Sequence, residues 1–403
     1  MRAIARAPAA AVRIVQRARR RTTGIRFLDQ GAVKMASRRI SSLDGLRACS
    51  IALVLQGHLA GTHGFPLTVE SGRMLGDLAN LGVNVFFIIS GFLITSLLME
   101  ERRQTGAVSL RGFYWRRARR ILPAAYAFLL AIMLAATLGW VEIGKNDVIF
   151  AATYLVNYDV SRPWQFGHLW SLSVEEQFYL LWPFVFVFVK ERHALLAAAF
   201  AFAAAPLVRL AMHLAFPSGP YRDLEIFPAV ADAIAIGCAF ALLRPKLLHS
   251  PVYLRMTSTP WRWALLPLIV AVNYLRSGHT IVDMLAWPWM LVAMTGLIES
   301  STRCSGTLAW RFLNWRPLAF VGTLSYSLYL WQQPFLNRHM DTWATTFPVN
   351  ILLACGVALL SYYLIERPFL RLRRQPVDLV AQAPHPAPFD VATSSEAVEE
   401  LRR

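Results

Sequence analysis

Two polar residues, Arg47 and His58, interrupt an apolar stretch of the sequence, residues 43–62. They are eleven positions apart, close to three turns of an α-helix, so their side chains project from one helix face roughly 16 Å apart along the axis. Ionisable groups are costly inside a bilayer and are found there mainly at functional sites. If this stretch is a membrane helix, both residues are therefore candidates for binding or catalysis.

Further ionisable side chains lie in other apolar segments: Glu175, Glu176, Arg209 and Asp232. A histidine beside carboxylates in a partly dry cavity suits general-base catalysis, because imidazole titrates near neutrality and a carboxylate can fix its tautomer. The alternative is that His58 is structural and hydrogen-bonds a neighbouring hydroxyl. For Arg209 and Asp232 the pattern favours a buried ion pair that fixes helix packing.

A run of arginines at residues 116–120 begins another apolar segment. Guanidinium groups match the geometry of phosphate, so this run, together with Arg47, could bind a polyphosphate ligand. The same charges also suit control of membrane topology and contact with lipid headgroups. Both interpretations stay open on composition alone. The arginines of the run are Arg116, Arg117, Arg119 and Arg120.

The elements that must position these residues are long apolar segments. Hydrophobic residues make up 56% of the 403-residue chain and charged residues 16%, whereas a soluble protein is about a quarter charged. We predict an all-α, polytopic membrane helix bundle of about ten spans. The short segment 146–157 is predicted to be an outer interfacial or re-entrant helix, and Ser90-Gly91 to allow close helix approach. The predicted spans are residues 46–62, 78–99, 121–139, 171–189, 194–216, 226–243, 263–276, 281–299, 318–337 and 346–365.

Arginine and lysine lie mainly in alternate loops, beginning with the arginine-rich loop 100–120. This distribution follows the positive-inside rule with both termini in the cytoplasm. It places Arg47 near the cytoplasmic face and His58 in the outer half of the bilayer. The net charge of +17 therefore indicates membrane topology rather than nucleic-acid binding. The four cysteines have no paired spacing, so neither a disulfide framework nor a metal site is expected.

One membrane domain and two tails account for the whole chain. Residues 1–28 hold eight arginines and no acidic residue, and we predict residues 1–40 to be a disordered basic cytoplasmic tail, with Met35 as an alternative start. Residues 41–370 form the predicted membrane domain. Residues 371–403 are rich in Ala, Pro and Ser and are predicted to be a disordered cytoplasmic tail.

Several motifs, in order over residues 41–370, resemble those of the acyltransferase-3 family of integral membrane acyltransferases. No one motif is distinctive, but their number and order identify the family. They are Leu43-Asp44-Gly45-Leu46-Arg47 with His58 at the family's R-x10-H spacing, residues 86–95, the arginine run up to Pro123, residues 170–179, residues 324–331 and Glu366-Arg367-Pro368.

The resemblance implies an enzyme of the bacterial inner membrane. It would move an acyl group, usually acetyl, from cytoplasmic acyl-CoA, a substrate rather than a resident cofactor, to a hydroxyl of a carbohydrate or glycolipid at the outer face. By resemblance, His58 is the general base or acyl relay and Glu175 a supporting acid, while Arg47 and the arginine run contact the donor. The remaining candidates, on the acceptor side, are His168, Trp170, Ser171, Glu176, Arg209 and Asp232.

A transporter or flippase of a lipid-linked or polar small molecule is the alternative function, because intramembrane charges suit that role as well. The acyltransferase and the transporter differ in whether CoA is released. The identity of the acceptor, the length of the acyl chain and the formation of a homo-oligomer are left open by the sequence.

Overall fold

The computed structural model describes residues 41–67, 69–219, 221, 225–275 and 280–372. Within these ranges the chain is mainly helical and contains no β-strand, which confirms the all-α prediction. The predicted tails, residues 1–40 and 371–403, lie outside the described residues except for Arg371 and Leu372.

The α-helices of the described residues are numbered in chain order. Short 3₁₀ turns lie at Val156–Tyr158 and Pro260–Ala264, and a π-helical turn, Tyr362–Glu366, joins the last two helices. The α-helices are α1 (Ser41–Leu59), α2 (Val69–Thr105), α3 (Leu110–Thr137), α4 (Lys145–Ala152), α5 (Trp164–Gly167), α6 (Leu169–Phe188), α7 (Glu191–Ala215), α8 (Phe227–Val230), α9 (Asp232–Leu247), α10 (Pro251–Ser258), α11 (Leu265–Leu275), α12 (Thr280–Arg303), α13 (Leu308–Leu313), α14 (Arg316–Phe335), α15 (Val349–Ser361) and α16 (Arg367–Arg371).

Every predicted span overlaps one of these helices, but not every helix is long and apolar enough to cross a membrane. In the described part of the chain four segments meet both conditions, and the pair α9 and α10, bent by 117°, is a fifth candidate. The expected count of about ten spans is therefore not confirmed. The four segments are Leu78–Thr105, Leu110–Thr137, Glu191–Ala215 and Val349–Arg371.

The other helices fall short for identifiable reasons. Helix α1 carries Asp44, Arg47 and His58 within 19 residues, and these polar groups lower its mean hydropathy. Helix α11 has only 11 residues, about 16 Å at 1.5 Å per residue. Helix α4, with the 3₁₀ turn after it, occupies the segment predicted to be too short to cross. It has eight residues, none of them buried, and its position relative to the bilayer stays a prediction.

Helix α2 lies at the centre of the bundle. It packs against α1 and α9, and α1 packs in turn against α14. The α2–α9 contact requires glycine on both sides. A Cβ added to Gly91 would lie 2.1 Å from the carbonyl oxygen of Ile234, and one added to Gly237 would lie 2.3 Å from that of Ile88. The predicted close approach at Gly91 is thus confirmed.

Candidate active site

The first cavity, called the arginine cavity, is enclosed by α1, α2, α3, α6 and α14 and has a volume of about 90 Å³. It brings together three guanidinium groups from two helices, one carboxylate and several hydroxyl groups. Its lining residues are Arg47, Val83, Phe86, Phe87, Ser90, Arg117, Arg120, Ile121, Ser171, Leu172, Glu175, Tyr179, Ser325, Tyr326 and Tyr329.

Positive charge is in excess in the arginine cavity. Arg47 Nη1 also lies 3.5 Å from Oδ1 of Asp44, and the Arg47 side chain is 18% exposed. Arg117 lies over the ring of Tyr179, 4.6 Å from the ring centroid, whereas Arg120 is exposed. The three cations thus extend from the surface into the cavity. A group of this kind suits a ligand with phosphate groups.

Glu175 is held by a short chain of hydroxyl groups on the wall of the arginine cavity. Ser90 Oγ donates a hydrogen bond to Glu175 Oε1 at 2.6 Å, and Tyr179 OH donates to Ser90 Oγ at 3.0 Å. Glu175 therefore lies with the arginines and not beside His58. The sequence does not single out Ser90 as a polar partner of Glu175; it lies in the motif of residues 86–95.

The second cavity, called the histidine cavity, is larger, about 590 Å³. Its wall carries aromatic rings and side-chain amides, together with three histidines and one arginine. Its lining residues are Val54, His58, Ala79, Asn80, Val83, Arg162, Trp164, Gln165, Gly167, His168, Trp170, Tyr329, Gln333, Asn337, His339 and Met340.

His58 is held from two sides in the histidine cavity. Its Nδ1 is 3.1 Å from Oε1 of Gln332 on α14. Its ring meets the edge of Trp164, with 6.0 Å between ring centroids, and Trp164 Nε1 donates to the backbone oxygen of Gln333 at 3.0 Å. Gln332 and Trp164 are not found by sequence reasoning, because a buried glutamine and a tryptophan in a short helix carry no spacing signal.

The two cavities share two lining residues, Val83 and Tyr329, and the region at these residues is called the junction. Tyr329 OH donates to the backbone oxygen of His168 at 2.8 Å and also contacts Ser171 Oγ. His168 Nε2 is 3.0 Å from the backbone oxygen of Leu330. The predicted residues His168 and Ser171 thus lie at the junction, and the sequence gives only one hint of Tyr329, its place in the motif of residues 324–331.

Two arginines of the run lie outside both cavities. Arg116 forms an ion pair with Glu101 at 2.9 Å. Arg119 lies over the ring of Trp115 and donates to the backbone oxygen of Leu372 at 3.2 Å. Only the other two, Arg117 and Arg120, line the arginine cavity.

Three of the acceptor-side candidates also line neither cavity. Arg209 and Asp232 form an ion pair between α7 and α9 with an Nη2–Oδ2 distance of 2.8 Å, as expected for a pair that fixes packing. Glu176 Oε1 is buried and has no hydrogen-bond partner among the described residues. Trp170, in contrast, lines the histidine cavity. In the part of the chain that the structure describes, no group of His, Cys, Asp or Glu could hold a metal ion.

Comparisons with known proteins find relatives that are named as O-acetyltransferases. The peptidoglycan O-acetyltransferase OatA of Listeria monocytogenes is 28% identical over 358 residues, which cover 82% of this chain and 55% of the relative. The O-acetyltransferase OatA of Staphylococcus aureus is 30% identical over 374 residues, 83% of this chain and 58% of the relative. The chain thus spans little more than half the length of these relatives, and no solved structure shows a significant match.

The match to a family extends over most of the chain. A family model described as an acyltransferase domain matches residues 40–367, a range that includes both cavities and every candidate residue. The chain belongs to the acyltransferase-3 family.

Proposed function

We propose that this protein is a membrane O-acyltransferase that moves an acetyl group from acetyl-CoA to a hydroxyl of a carbohydrate. The observation that carries the proposal is the junction at Val83 and Tyr329, where a cavity lined by arginines meets a cavity lined by His58. A phosphate-bearing donor and a hydroxyl acceptor need these two environments side by side.

The donor binds on the side of the arginine cavity. The phosphates of CoA are anions that guanidinium groups recognise, and Arg120 is exposed while Arg47 lies deeper. A volume of about 90 Å³ is too small for a whole CoA molecule. The phosphates therefore bind near the surface arginine, and the narrow acylated arm enters the cavity towards Tyr329.

The acceptor binds in the histidine cavity. Trp164 and Trp170 offer aromatic faces, and Asn80, Gln333 and Asn337 offer side-chain amides, the combination that binds the apolar faces and hydroxyl groups of a sugar ring. The relatives' names include peptidoglycan O-acetyltransferase, and a glycan of the cell envelope is the acceptor class that we propose.

His58 acts as the general base. Its imidazole accepts the proton of the acceptor hydroxyl while the hydroxyl oxygen attacks the thioester carbonyl. The new C–O bond forms, the C–S bond breaks, and the proton passes from the imidazole to the departing CoA thiolate. The thioester is reactive enough that this direct transfer needs no covalent intermediate on the enzyme.

The orientation proposed follows from the charges of the loops. With both termini in the cytoplasm of a bacterial cell, the arginine cavity opens towards cytoplasmic acyl-CoA and the histidine cavity towards the outer face of the inner membrane. The acetyl group then crosses the bilayer at the junction, without a separate carrier.

The proposal can be tested by giving acetyl-CoA and a cell-envelope glycan extract to the purified protein in lipid nanodiscs. We expect release of CoA and formation of acetyl esters, measured by thiol assay and mass spectrometry. His58→Ala should lose this activity, whereas His193→Ala, an exposed histidine at the start of α7, should keep it. Full turnover by His58→Ala would contradict the assignment of the base. Uptake of glycan by sealed proteoliposomes that contain the protein, without release of CoA, would favour a transporter.

A further inference from the structure

The imidazole of His58 has only one polar partner among the described side chains. Its Nδ1 lies 3.1 Å from Oε1 of Gln332, and no hydrogen bond joins Nε2 to any described residue. Gln332 is fully buried in α14, a helix that packs against α1 along its length. The contact therefore joins two elements of the core and does not depend on a loop.

The partner of one ring nitrogen determines which tautomer a neutral histidine adopts. An amide oxygen can only accept a hydrogen bond, so Gln332 Oε1 requires the proton on Nδ1. Nε2 then keeps its lone pair and is able to accept a proton. Without such a partner, a histidine side chain favours the opposite tautomer, in which Nε2 carries the proton and cannot act as a base.

The surroundings of His58 leave this task to Gln332. The charged and titratable groups nearby are Arg338, His168, His339, Arg162 and Tyr329, and none of them is a carboxylate. The hydroxyl of Tyr329 contacts the backbone oxygen of His168 and Ser171 Oγ. Arg338 Nη2 donates to the backbone oxygen of Gly57, and its guanidinium lies 5.1 Å from the centroid of the Trp164 ring. These contacts hold the walls around the ring, but they offer no acceptor for Nδ1–H.

We propose that Gln332 is a positioning residue that fixes His58 in the Nδ1–H tautomer and leaves Nε2 free to take the proton of the acceptor. The inference rests on the proposed function, because it specifies how the proposed base is held. It assigns to a buried amide the part that a carboxylate plays in many histidine bases, and it leaves Glu175 with the arginine cavity.

The tautomer of His58 can be measured without any substrate. Protein in nanodiscs would carry histidine labelled with a heavy nitrogen isotope in the ring, and His58→Gln would identify the His58 signals by their loss. We expect the Nδ1–H tautomer in the unaltered protein and loss of that preference in Gln332→Met, which keeps the length of the side chain but removes the acceptor. An Nε2–H tautomer in the unaltered protein would overturn the proposal whatever the activity.

Kinetic measurements give a second, independent test of the role of Gln332. Gln332→Met should lower kcat about tenfold, the loss of one ordinary hydrogen bond, with an unchanged KM for acetyl-CoA. Gln332→Glu keeps an acceptor for Nδ1–H and should retain activity. The acid limb of its pH–rate profile should move to higher pH, because a carboxylate stabilises protonated imidazole.

The outcomes separate the two proposals. Loss of activity in His58→Ala together with unaltered kcat and pH profile in both Gln332 variants would overturn the role of Gln332 and leave the base in place. Inactivity of Gln332→Glu at every pH, with the tautomer lost, would mean that the amide donates instead of accepting, which also overturns the proposal. Activity in His58→Ala would refute the proposed function itself.

Discussion

Arg47 and His58 lie on the same helix, α1, but line different cavities. Eleven residues of α-helix separate them by roughly 16 Å, about half the thickness of the hydrocarbon core of a bilayer. Val83 of α2 and Tyr329 of α14 line both cavities. One rigid helix thus fixes the distance from the proposed donor site to the proposed base, and the reacting groups must meet at the junction.

A larger side chain at the junction tests this relationship. We expect Val83→Phe to lower kcat on the order of a hundredfold, because small displacements of reacting groups have effects of that size. Binding of acetyl-CoA, measured by calorimetry, should be unchanged, since the arginines are not altered. Val83→Ala, which leaves the junction open, is the control. Equal losses in both variants would show that packing at Val83, rather than passage between the cavities, limits the reaction.

Adjacent arginines of the run provide a matched pair for the donor site. Arg117 lines the arginine cavity, whereas Arg116 forms an exposed ion pair with Glu101. We expect Arg117→Gln to raise the KM for acetyl-CoA about tenfold, the value of one charge-assisted hydrogen bond. Arg116→Gln should change it by less than about twofold, because exposed ion pairs contribute little. Equal effects of the two variants would favour a general role of the run in topology or lipid contact.

The sequence predicts the helical class because apolar runs of sufficient length leave few alternatives in a bilayer, whereas the predicted count of about ten spans is not confirmed. It does not predict which face of a helix meets a cavity. Arg117 and Arg120 line the arginine cavity and are three residues apart, but Arg116 and Arg120 are four apart and also share a helix face, so spacing alone does not separate the cavity arginines from the others. Composition treats all of them alike, and only the packing of α3 against its neighbours separates them.

The two neighbouring carboxylates of α6 show the same limit. Glu175 and Glu176 point about 100° apart on a helix of 3.6 residues per turn, and only Glu175 lines the arginine cavity. The partner of His58 is equally hidden in the sequence, because Gln332 lies 274 residues away. A contact of that kind follows from the pairing of α1 with α14, which local patterns do not encode.

Close packing of α2 against α9 makes a prediction about stability. Gly91→Ala would place a Cβ 2.1 Å from the carbonyl oxygen of Ile234, so the helices must separate. We expect a loss of about 1–3 kcal/mol in the free energy of unfolding, the usual effect of overpacking, measured as a lower Tm in detergent. Gly356→Ala, where no atom lies within 4 Å of the added Cβ, should leave the Tm unchanged. An equal Tm for both variants would contradict the close contact.

The ion pair between Arg209 and Asp232 should stabilise the fold rather than bind substrate. The Asp232 side chain is only 2% exposed and Arg209 is 30% exposed. Breaking a fully buried pair costs about 3–5 kcal/mol, and the exposure of Arg209 makes a smaller loss the expectation here. Asp232→Ala should therefore lower the Tm and the yield of folded protein, while the folded fraction keeps the KM values of both substrates.

A second ion pair provides the comparison. Arg162 lines the histidine cavity and pairs with Glu225 at 2.7 Å, with side chains 22% and 28% exposed. Glu225→Gln frees the guanidinium at the cavity wall, so we expect a changed KM for the glycan and only a small change in Tm. An increased KM for the glycan in Asp232→Ala, with the Tm unaltered, would instead assign Asp232 to the acceptor site.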